Sequence, residues 1–115
     1  MGVIDWNEFN ENFQYYDENI IREVIDIFIG EYDERFSKMQ INLDEKDFSA
    51  LAFNAHSLKS VIANYMAPKP FELTHRLEEM AKNNSKEGIV EVFTELKNSS
   101  QELVIELKEY LQKLK

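Results

Sequence analysis

Apolar residues in this chain recur at alternating steps of three and four, in series so long that only helices packed on one another can bury them. The clearest series is Phe48, Leu51, Ala55, Leu58, Ile62 and Tyr65, the seam of an amphipathic helix. A second runs through Ile21, Val24, Ile25, Phe28, Tyr32, Phe36 and Met39, and a third through Phe71, Leu73, Leu77 and Met80. The last carries Ile89, Phe93, Leu96, Ser100, Leu103, Leu107, Tyr110 or Leu111, and Leu114. Its heptad-like run suits a coiled coil, but three other amphipathic helices make packing within one bundle the simpler use. Trp6, Phe9 and Phe13 add a short aromatic face that lids one end of the bundle. The pattern predicts an all-α fold, a four-helix bundle with a short extra N-terminal helix, in a single domain over residues 1–115.

Helix boundaries follow from caps and breakers. The expected helices are 5–12, 18–43, 47–66, 70–82 and 86–113. Asp5 and Asp17 suit the first two N-caps, Asp44 or Asp47 the third, and Ser85 the last. Pro68-Lys69-Pro70 ends the third helix, and Pro70 suits the first turn of the next. Gly30 falls inside the second helix at a cost of roughly 1 kcal/mol against Ala, which suggests a bend or a close contact there. Glu31, Asp33 and Glu34 read as its wet face.

Composition removes several function classes. A net charge of −9 and a pI near 4.7 repel phosphate backbones and anionic lipid, so neither nucleic acid nor membrane is an expected partner. No apolar run approaches the ~20 residues of a membrane span. Asp5 and Glu8 follow Met1 too closely for a secretory leader, and Trp6 stands where a myristoylation motif at Met1-Gly2 needs Ser or Thr. The absence of Cys excludes disulfides and thiolate metal sites and fits a cytoplasmic protein. Three scattered glycines make no phosphate-cradling loop, and no Ser or Thr stands in a triad-like setting. Glu72-Leu73-Thr74-His75 is a single copy of the Glu-x-x-His element that di-iron bundles carry twice. Phe53 precedes His56 by three and cannot ligate, so no metal is expected and His75 reads as a polar surface residue.

His56 remains. At roughly 100° per residue it lies on the order of 135° from the centre of its helix seam, facing solvent. Lys59 is one turn on at i+3, and Ser60 and Ala63 are small and leave space beside the ring. A solvent-facing imidazole with a cation beside it suits a nucleophile that another protein approaches. The docking surface expected around it is Ala52, Phe53, Ser60, Val61, Ala63 and Asn64.

Ala55-His56-Ser57-Leu58-Lys59-Ser60 resembles the signature of the histidine-containing phosphotransfer (HPt) domain, usually Ala-His-x-Leu-Lys-Gly. Without a gap, Ala63-Asn64 matches the Ala-Asn that often follows, Ala67 the second residue of a Gly-Ala pair, and Leu77-Glu78 the Leu-Glu of the next helix. Asp47 and Leu51 also sit where the family often has an aspartate and a leucine. The likeness covers at least Asp47 to Lys82. Ser60 replaces a glycine, Met66 the first residue of the Gly-Ala pair, and Pro70 a common core leucine.

The resemblance implies that His56 accepts a phosphoryl group from a receiver-domain phospho-aspartate and passes it to another receiver. Lys59 would offset charge on the phosphoryl oxygens, and Glu78 would orient the imidazole by accepting from Nδ1–H. The expected partners are response-regulator receivers and a hybrid sensor histidine kinase. Mg²⁺ belongs to the receiver, no cofactor or metal to this chain, and no autokinase activity is expected. The four long apolar faces suggest a self-sufficient monomer, and the lack of linker-like ends a free-standing one. Two rivals remain. One is an acidic helical adaptor that docks signalling proteins without phosphotransfer; the other is the dimeric phosphoacceptor domain of a histidine kinase.

Overall fold

The computed structural model describes residues 2–114; Met1, with the myristoylation and leader readings that involve it, and Lys115 lie outside them. The described residues form five α-helices and no strand: α1 Trp6–Phe13, α2 Glu18–Asp44, α3 Phe48–Ile62, α4 Pro68–Lys82 and α5 Ile89–Lys113. They make a helical bundle whose long dimension, 44 Å, is close to the ~40 Å that the 27 residues of α2 span.

Side-chain caps start the first three helices. Asp5 accepts from Glu8 N–H, Asp17 from Asn19 N–H and Asp47 from Ala50 N–H. Each satisfies a backbone donor that the helix itself leaves unpaired. Asp47, not Asp44, is therefore the third cap. The break before it is closed by Lys46 in the left-handed region, φ 57°, with Asp47 N–H returned to Asn42 O at 2.8 Å.

Helices α2 to α5 form a ring in which sequence neighbours run antiparallel. Cross-helix contacts set the register: Asn54 Nδ2 donates to Asn42 Oδ1 at 2.7 Å, and Tyr32 Oη to Lys97 O at 3.1 Å. The seam residues Phe48, Leu51, Ala55, Leu58, Ile62 and Tyr65 are all buried against Ile25, Phe28, Phe36, Leu77, Leu96, Leu103 and Leu107 in one core. α1 closes one end, with Trp6 stacked on Tyr110 at 5.5 Å and Phe13 on Tyr65 at 6.4 Å. Asp5 N–H donates to Met66 O at 2.8 Å, which ties the N-terminal segment to the turn after α3.

Several expectations need correction. The third helix stops at Ile62, not 66, and continues as one 3₁₀ turn, Ala63–Tyr65. Met66 then takes a left-handed conformation at φ 53°, and Ala67 is extended because Pro68 follows it. Pro68, two residues before Pro70, therefore opens α4, its missing N–H falling where the helix has no use for one. The Met66 conformation costs a residue with a Cβ about 1 kcal/mol, which is why a glycine suits that position.

The last helix begins at Ile89, and Ser85 does not cap it. The Ser85 N–H is spent on Met80 O at 2.8 Å, closing α4 with Asn84 left-handed, and Gly88 at φ 80° precedes α5 instead. Phe71 is exposed, not inward, since the buried stripe of α4 runs Pro70, Leu73, Thr74, Leu77, Glu78 and Ala81. Gly30 makes no close contact: a Cβ there would meet nothing within 4 Å. Gly30→Ala should accordingly stabilise the protein by about 0.5–1 kcal/mol, read as a higher urea midpoint at unchanged slope.

Candidate functional site

The antiparallel packing of α3 on α4 brings residues 56 and 59 opposite 78 and 75. His56 stands outward from the middle of α3, its side chain 62% exposed. Directly behind it is Glu78, on the buried stripe of α4 and only 2% exposed. Its Oε2 lies 2.9 Å from His56 Nδ1 and 3.3 Å from Lys82 Nζ, and its Oε1 lies 2.7 Å from Lys59 Nζ.

A buried carboxylate without partners costs several kcal/mol, so the three donors decide its state. Burial alone would push the Glu78 carboxyl up. Hydrogen bonds from Lys59, His56 and Lys82 outweigh it and hold the group at about 2, below the ordinary 4.5. Glu78 is thus ionised near neutral pH and has acceptors only. The atom facing it, Nδ1 of His56, must then carry the proton. In the neutral ring that leaves the lone pair on Nε2, the nitrogen turned away from Glu78.

The surroundings keep the outward side clear. Ser60 Oγ folds back to donate to His56 O at 3.2 Å. Ala52, Phe53, Ser60 and Ala63 lie within about 60° of His56 around the helix, with Phe53 74% exposed. Ala63, Met66, Pro68 and Phe71 line a shallow apolar groove one step further along. Asn64 is exposed, its carbonyl accepting from Asn12 Nδ2 at 3.1 Å. Val61 does not belong to this surface: it is about 140° around the helix from His56 and packs against the core. On the other flank Arg35 donates to Ser57 Oγ and Glu31 Oε1, both at 3.1 Å, fastening α3 to α2 beside the histidine.

Lys59, one turn from His56, meets the other oxygen of the same carboxylate: its ammonium rests between Glu78 Oε1 and His75 Nδ1, the latter at 3.5 Å. Two participants were missed, His75 and Lys82. Lys82 was legible as the i+4 partner of Glu78, a favoured Glu-to-Lys spacing. A charge signal also stood in the sequence: from Phe48 to Phe71 there is no Asp or Glu, although the chain has 22. The segment that carries His56 is thus an acid-free stretch of an acidic sequence. Among the described residues no cluster of three or more His, Asp or Glu could hold a metal ion.

A family model described as Hpt domain matches residues 23–115, the span that contains α3, α4 and this site. No curated protein and no solved structure matches the chain.

Proposed function

The chain belongs to the Hpt domain family, the histidine phosphotransfer modules of two-component phosphorelays, and on that premise we propose that His56 is its phosphoryl acceptor and donor. The observation that carries this reading is the 2.9 Å contact between His56 Nδ1 and an ionised, buried Glu78, which leaves the lone pair on Nε2 at the surface. His75, the other histidine, stands with its Nδ1 3.5 Å from the Lys59 ammonium.

The transfer balances simply. The Nε2 lone pair attacks the phosphorus of a receiver's aspartyl phosphate; the N–P bond forms as the P–O bond to the aspartate breaks, and the carboxylate leaves with its electron pair. No proton needs to move, because Nδ1–H stays where Glu78 holds it. The ring becomes cationic as the bond forms, and the Glu78 carboxylate faces that charge, the part a buried aspartate plays behind a catalytic histidine. Lys59 and Lys82 supply positive charge near the phosphoryl oxygens. The same steps in reverse deliver the group to a second receiver. Mg²⁺ enters with the receiver, whose acidic pocket holds it.

Ala52, Phe53, Ser60, Ala63 and Asn64 are the proposed receiver contacts, joined by Met66 and Phe71 along the apolar groove. Small side chains around the ring let a partner bring its aspartate within bonding distance, and exposed Phe53 offers apolar area at the rim. The experiment is incubation of the whole chain with phosphorylated receivers and Mg²⁺. Acid-labile, alkali-stable label on this protein is the expected result. No label from any receiver, with the protein folded, overturns the reading in favour of a docking adaptor.

A further inference from the structure

Lys59 is held from two sides. Glu78 Oε1 takes its ammonium at 2.7 Å, and His75 Nδ1 stands 3.5 Å from the same nitrogen. The result is a lysine side chain only 19% exposed, although it lies on the outward half of α3. A lysine ammonium sits on a flexible four-carbon stem and offers donors in three directions, so one acceptor does not fix where it stands. Two acceptors from α4, one turn apart, do. The ammonium carries no lone pair, so His75 must present its own at Nδ1 with the proton on Nε2. Hydrogen bonding at both contacts requires opposite tautomers of the two histidines, each set by what faces its Nδ1.

We infer that His75 is a positioning residue: its neutral ring and Glu78 together hold the Lys59 ammonium in one place relative to His56 Nε2. The inference rests on His56 being the phosphoryl acceptor, and it adds a residue outside the Ala-His-x-Leu-Lys pattern to that site. His75 does not touch the phosphoryl group. Its contribution is to spare the transfer step the cost of ordering Lys59, the kind of positioning on which phosphoryl transfer depends.

The test uses the full chain in four forms: wild type, His75→Gln, His75→Leu and His75→Arg. Single-turnover phosphoryl uptake is measured against receiver concentration, and nitrogen-15 spectra of the histidine rings are recorded in the unphosphorylated protein. Glutamine keeps a side-chain acceptor and should stay within twofold of wild type. Leucine removes the acceptor and should lower the maximal rate about three- to tenfold while the concentration dependence stays put. Arginine places a fixed cation beside Lys59 and should lower the rate at least as far. The ring spectra should show the His75 proton on Nε2. Leucine at the wild-type rate, or a His75 ring protonated on Nδ1, overturns the inference. Failure of the wild type to take label overturns the acceptor reading instead, and the ring spectra still decide whether His75 holds Lys59.

Discussion

His56→Gln is expected to take no phosphoryl label from any receiver that labels the wild type, while folding as the wild type does. The chemistry is lost outright because an amide nitrogen has no available lone pair to form the N–P bond. The fold should be indifferent for equally plain reasons. The side chain is 62% exposed, and its one hydrogen bond is to a carboxylate that keeps Lys59 and Lys82 when the ring is gone. A glutamine there is expected to offer Glu78 an amide N–H in its place. The stability change should stay within about 1.5 kcal/mol, the low end of what a hydrogen bond to a charged group contributes. Unchanged thermal melting and unchanged receiver binding, with label absent, would separate this variant from a misfolded one. Retained label would move the acceptor elsewhere, with His75 the first alternative.

The second large effect is expected at Glu78, where structure and chemistry meet in one group. Glu78→Gln keeps the shape but removes the charge. An amide can turn either its oxygen or its NH₂ toward the ring, so the Nδ1–H tautomer is no longer enforced and the cationic ring that forms on attack is no longer faced by an anion. A loss of about 10- to 100-fold in the transfer rate is expected, equivalent to about 1.4–2.7 kcal/mol. Folding should suffer too, by about 1–3 kcal/mol, since Lys59 loses its nearest partner, but less than for a deeply buried pair because Lys82 is 56% exposed and can turn to water.

The pH dependence of that difference follows from the direction of the shift. The folded carboxyl is held at about 2 against an ordinary 4.5, so the wild type gains stability from it above about pH 4.5 and loses the gain as pH falls toward 2. Denaturant melts of wild type and Glu78→Gln should therefore be furthest apart near neutral pH and converge over that acid range. A gap that stays constant to pH 2 would mean that Glu78 is not the ionised acceptor on which the tautomer argument depends.

The helices and their inward faces were legible because burial at a 3.6-residue period leaves a mark that no single substitution erases. Every residue of the Phe48 to Tyr65 series is buried, and Asp5, Asp17 and Asp47, all cap candidates by sequence, each accept a backbone N–H. The breaks were harder to read. Met66 and Asn84 carry left-handed turns that glycine would have announced, and Ser85 looks like an N-cap until its N–H is seen to belong to the previous helix. His56 was legible from its position opposite the seam. The burial of Glu78 was not: an acidic residue on an amphipathic helix reads as surface, and only the pairing of α3 with α4 shows three donors converging on it. Contacts such as Lys59 to His75 depend on that pairing and leave no trace in local spacing.

The most direct measurement is nitrogen-15 and phosphorus NMR of the phosphorylated chain, which reports which ring nitrogen bears the phosphorus. The tautomer set by Glu78 predicts a single phosphohistidine, at His56, with phosphorus on Nε2 and the proton on Nδ1. Phosphorus on Nδ1, or on any residue other than His56, would contradict the account.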